Sequence, residues 1–85
     1  MGIFNIEIKK ILENENEVTY SFQEYDLPGT GFGEILINKR TGELIVIKEA
    51  EWDKNNKGGL SLRAGTKILQ HWRKGEFPEI TGWVS

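Results

Sequence analysis

The sequence contains no cysteine, one histidine, one methionine and two prolines among its 85 residues. Without cysteine there is no disulfide, no thiolate nucleophile and no cysteine-based metal centre. Small secreted domains usually depend on disulfide staples, so their absence predicts a reducing, cytoplasmic setting. His71 is the sole imidazole, which leaves a zinc site without its usual ligand set. No metal and no cofactor is expected. Long hydrophobic runs are also missing. The longest aliphatic stretch, Leu44 to Ile47, is far below the roughly 20 residues of a membrane span. Met1 to Glu7 has no apolar run of the signal-peptide kind, and Ile6 stands where a myristoylation motif needs Ser or Thr.

Charge of one sign is scarce as well. Net charge is −2, so no global field draws in nucleic acid. The distribution is uneven. Residues 1–48 carry eight acids against five bases, and residues 49–85 carry five acids against six bases. The front half is the acidic half.

A chain this short forms one domain, residues 1–85, and buries only about 60–65% of its unfolded surface. One thin core is expected, with little room for a deep cleft. Phe4, Ile6 and Ile8 alternate with Asn5, Glu7 and Lys9, the period of a strand with one buried face. Glu13-Asn-Glu-Asn-Glu17 then reads as a turn, and Val18, Tyr20 and Phe22 as a second strand. Asp26-Leu-Pro-Gly-Thr-Gly31 is the clearest break. Phe32 to Asn38 and Glu43 to Lys48 read as two further strands. The Lys39-Arg-Thr-Gly42 segment between them supplies a hairpin loop, with Gly42 free to adopt the left-handed conformation. In that reading Ile35, Ile37, Ile45 and Ile47 share one face.

Glu51 to Gly59 reads as a polar loop, with Ser61 as helix N-cap. Leu62, Ile68, Leu69 and Trp72 form an apolar stripe, opposite Arg63, Lys67, Gln70 and Lys74. Gly75 and Pro78 end the helix, so it spans about 61–74. The expected fold is therefore α+β: a four-stranded antiparallel β-meander, one C-terminal helix packed on the sheet, and a short extended tail ending near Trp83.

Candidate chemistry is thin. Gly29-Thr-Gly31-Phe-Gly33 leads into a strand and has Glu34 where a dinucleotide fingerprint needs its third glycine, so it reads as a turn. His71 has no orienting partner or reacting group at a telling spacing. Glu13, Glu15, Glu17, Glu24 and Asp26 lie in or near turns without apolar surroundings to raise a pKa. Their bland reading is solvated charge, and their functional reading is an acidic surface for a basic partner. The 13–17 loop and the turn from residue 24 fall at opposite ends of the second strand. Arg63, Lys67 and Lys74 could touch phosphates, but no stacking aromatics interleave with them. Trp52 and Trp83 read as edge packing or as interface anchors.

Two stretches carry a resemblance. Ile37-Asn-Lys-Arg-Thr-Gly-Glu-Leu44 resembles a hairpin of small bacterial immunity proteins, which neutralise toxins of contact-dependent systems. Ala64-Gly-Thr-Lys67, His71-Trp-Arg-Lys-Gly-Glu-Phe-Pro78 and Trp83 resemble the ending of such proteins. Together they cover under half the chain. The resemblance implies a non-enzymatic inhibitor whose partner is a toxin, many of which are nucleases with basic clefts. Glu13, Glu15, Glu17, Glu24 and Asp26 are candidates for that contact from the charge count alone. A small nucleic-acid-binding domain and a small enzyme are the alternatives, and oligomeric state is left open.

Overall fold

The computed structural model describes residues 5–24, 32–50 and 59–84. Within the described residues five strands and one helix follow in the order β1 (Asn5–Glu13), β2 (Glu17–Glu24), β3 (Gly33–Asn38), β4 (Leu44–Lys48), α1 (Gly59–Arg73) and β5 (Ile80–Val84). All pairings are antiparallel, and the order across the sheet is β4-β3-β2-β1-β5. The expected meander of four strands is present. The expected extended tail is instead a fifth strand beside β1, with Ile80 to Val84 facing Lys9 to Asn5. The proposed Asp26–Gly31 turn and Trp52 lie outside the described residues.

The core lies between α1 and one face of the sheet. Ile6, Ile8, Val18, Tyr20, Phe22, Ile35 and Ile37 supply the sheet side, and Leu60, Ala64 and Ile68 the helix side. Leu60, Ala64 and Ile68 recur every fourth residue, so one line of the helix meets the sheet. Ala64 and Gly65 are small and buried, which lets the helix approach closely. A Cβ on Gly65 would lie 3.1 Å from Leu44 Cδ1. Gly33 serves the same end within the sheet, since a Cβ there would lie 2.3 Å from Phe22 Cζ. The ring occupies the space above the glycine.

Three sequence expectations need correction. The apolar helix face is Leu60, Ala64, Gly65 and Ile68, whereas Leu62 is 71% exposed. The helix also begins at Gly59, so Ser61 is not its cap. Third, Ile35 and Ile37 pair with Val46 and Leu44, while Ile45 pairs with Leu36 on the opposite face. The four-residue loop sets that parity: odd positions of β3 meet even positions of β4, and a one-residue difference exchanges the faces. The register then slips between Glu34 and Ile35, leaving Ile47 as the extra residue of a bulge.

Other expectations hold. Gly42 and Gly75 have φ of 78° and 74°. Gly75 N–H donates to the Trp72 carbonyl and Glu76 N–H to the His71 carbonyl, each at 2.9 Å, closing the helix in a Schellman motif. Trp72 then packs over Gly42, and its Nε1 donates to the Lys39 carbonyl at 2.7 Å. That contact ties the helix end to the β3–β4 loop.

The segment leading into β5 is held by Tyr20, whose hydroxyl donates to the Pro78 carbonyl at 3.0 Å. Burial pushes the phenol up to about 12, with the charges of Glu13 and Glu79 adding to it. The unfolded phenol ionises near pH 10. Stability from this group is therefore complete below about pH 10 and lost as pH rises towards 12. Tyr20→Phe is expected to cost about 1 kcal/mol at neutral pH and to make the decline above pH 10 shallower. Chemical denaturation across that range measures both. A Gly33→Ala change should destabilise by about 1–3 kcal/mol through overpacking against Phe22, visible as a lower melting temperature.

Candidate protein-binding surface

The β1–β2 turn is built by Asn14, whose side-chain oxygen accepts from the N–H groups of Asn16 and Glu17, both at 2.8 Å. This places Glu13, Glu15 and Glu17 at one end of the hairpin. Glu24 lies at the far end of β2, and Asp26 is outside the described residues. The five carboxylates are thus not brought together.

Glu13 is engaged within the molecule. Lys10 Nζ approaches its Oε1 at 2.5 Å and Lys39 Nζ its Oε2 at 2.7 Å. The β1 register shifts between Lys10 and Leu12. That bulge brings residues 10 and 13 to the same side, where a regular strand would oppose them. Hydrogen bonds from Lys10 and then Lys39 lower the Glu13 carboxyl from 4.5 to about 2. Both of its oxygens already face cations. Glu15 is exposed, and it lines a polar depression of about 400 Å³ with Asn16, Asn38, Lys39 and Arg40. Charges of both signs meet there, so the hairpin tip is not a purely acidic patch. Among the described residues no ion pair engages Glu15 or Glu17.

On the helix, Arg63 Nη1 donates to the Gly59 carbonyl at 3.1 Å and Lys67 is half-buried. Lys74 stands past the helix end. His71 has partners that spacing did not reveal. Its Nε2 lies 2.9 Å from Thr81 Oγ1 and its Nδ1 3.2 Å from Glu76 Oε1. Hydroxyl, imidazole and carboxylate in that order resemble a nucleophile, its base and an orienting group. Here the three come from β5, the helix end and the loop between them, and they fasten the fifth strand to the helix. Among the described residues no group of three or more metal-ligating side chains occurs, and no helix is long and apolar enough to cross a membrane.

An apolar feature lies elsewhere among the described residues. Helix α1 packs over β1, β2, β3 and β5 and leaves β4 at the margin. An open groove of about 430 Å³ results between α1 and β4. Leu44 and Val46 form one wall and Leu62 and Leu69 the other, with Ile35 and Gly65 at the base. The apolar surface continues around the sheet edge. Ile45, Val46 and Ile47 are exposed at 51%, 45% and 52%. On the face opposite the core the registers align Leu12, Thr19, Leu36 and Ile45 in one row across four strands, with Leu12 and Ile45 exposed and Thr19 buried between its neighbours. Leu44 to Ile47 has the unbroken apolar run of a strand buried on both faces, yet among the described residues it lies at the edge of the sheet. Sequence reading missed this surface because it assigned Leu62 to the core and misplaced Ile45. The signal was that unbroken run.

Comparison with models of known families, with curated proteins and with solved structures finds no match.

The Glu13 pairing has a pH consequence. A carboxyl held near 2 in the fold and near 4.5 when unpaired contributes stability above about pH 4.5, lost as pH falls towards 2. Glu13→Gln should flatten the acid limb of the stability curve between those values. An unchanged acid limb in urea titrations would contradict the pairing.

Proposed function

We propose that the chain is a protein-binding module, and that its partner is a bacterial toxin which it holds inactive. The observation that supports this reading most is the continuous apolar surface over β4 and the outer side of α1. Exposed apolar residues standing singly are ordinary, whereas a contiguous patch marks an interaction surface. Such a patch supplies binding energy by removing apolar area from water, without any reacting group. The partner class follows from the resemblance to immunity proteins carried by residues 37–44 and the C-terminal stretch.

The five-carboxylate surface inferred from charge counting does not enter in its original form. Glu13 is neutralised by two lysines, and Glu24 stands a strand length from Glu15. Glu15 and Glu17 remain as charges at the β1–β2 hairpin end, outside the groove lining. Charges in that position act on encounter rate and on the choice of partner more than on affinity.

Co-expression with toxin domains from the source cell tests the reading. A cognate toxin should be rescued for growth and should co-purify with the chain as a stable complex. Tight RNA binding by the purified chain, with no toxin rescued, would overturn it.

A further inference from the structure

Resting on the protein-binding reading above, we propose that β4 accepts an extended segment of the partner as an added antiparallel strand. The segment carries apolar residues between two cationic ends. Four observations converge. First, among the described residues β4 is the end strand of the sheet, and no described strand pairs with its outer side. Asn38 N–H donates to the Glu43 carbonyl at 2.9 Å. Ladder alternation from that pair turns Ile45 towards β3 and leaves the N–H and C=O of Leu44 and Val46 directed to the open side. Second, the side chains of Leu44 and Val46 line the groove, while Ile45 joins the row on the other face. An added strand would extend both layers, its alternate side chains entering the groove beside Leu62 and covering Ile45.

Third, the ends of the run are acidic. Glu43 and Glu49 are exposed, and among the described residues neither has an ion-pair partner. Lys48 lies 4.3 Å from the centre of the Phe32 ring and so is already engaged. A segment with Lys or Arg opposite each carboxylate complements this edge. Fourth, the same charges disfavour a second copy of the chain. Symmetric antiparallel pairing centred on Val46 would set Glu43 directly against Glu49 of the other molecule, twice. Like charges directly opposite are destabilising.

The probe is the synthetic peptide Lys-Thr-Thr-Val-Ile-Val-Lys, whose lysines fall opposite Glu49 and Glu43 in that register. Titration into isotope-labelled full-length chain should shift the amide signals of Leu44 and Val46 and the signals of Leu62 and Leu69. A counterpart with Glu at both ends should bind about tenfold more weakly at low ionic strength. Alternate N-methylation of the peptide, which removes its strand-pairing donors and leaves the protein untouched, should abolish the shifts. On the protein side, Val46→Pro removes an outward N–H, a change tolerated on edge strands, and should abolish binding that Val46→Thr retains.

Absence of shifts at millimolar peptide, equal binding of the N-methylated form, or shifts confined to other strands would overturn the proposal. So would equal affinity of the two end-charge variants, for the cationic ends. A rescued toxin bound equally by Val46→Pro would sink strand addition and leave the protein-binding reading intact. Peptide binding without any toxin rescued would do the reverse.

Discussion

A single α-helix is about 10 Å across, and the strands of a sheet lie about 4.8 Å apart. The helix reaches four of the described strands, β1, β2, β3 and β5, and not the whole of the sheet. Ala64 and the close approach of Gly65 to Leu44 and Ile35 seat the helix on the sheet, where it packs over those four strands. The strand left at the margin is β4, and its apolar residues stay half in water. The core, the groove and the exposed edge follow from that one placement of the helix.

The rest of the molecule fixes the helix in that position. Trp72 anchors its C-terminal end on the β3–β4 loop through Gly42 and the Lys39 carbonyl. His71 and Tyr20 fasten the return of the chain into β5. The ionic bridge from Lys10 through Glu13 to Lys39 links β1 to the β3–β4 loop above the phenol of Tyr20. Exposed pairs of this kind contribute little individually. The aromatic contacts and the buried hydroxyl hold more of the end of the sheet together.

Alternation in residues 5–9 and 18–22, the Gly42 loop and the Gly75 stop made four strands and the helix legible in the sequence. β5 was not legible because Ile80-Thr-Gly-Trp83 is short and weakly alternating, and its pairing partner is more than seventy residues away. The faces of β4 were misread because a loop's residue count, not the strand's own pattern, sets which side each residue takes. Leu62 was misplaced because it fits the helical period, but on the rim of the contact instead of its centre. Acidic residues were visible as types and invisible as partners. Nothing in their spacing reveals that a bulge turns Lys10 and Glu13 to the same side. The Thr81 and Glu76 contacts of His71 likewise arise from a chain reversal that spacing does not encode.

An uncovered apolar edge is a hazard that small proteins ordinarily blunt with charge, bulges or brevity. All three devices are present at β4: it is five residues long, carries a bulge at Ile47 and is flanked by Glu43 and Glu49. Of these the acidic flanks restrain self-association while leaving the edge open to a strand of complementary charge. The central claim is that this edge is free in the isolated chain. Amide hydrogen exchange in dilute, monomeric protein tests it most directly. Ile45 should be protected by its pairing with β3, while Leu44 and Val46 exchange at rates close to those of an open chain. Protection of Leu44 and Val46 equal to that of Ile45 would show the edge to be covered and would contradict the account.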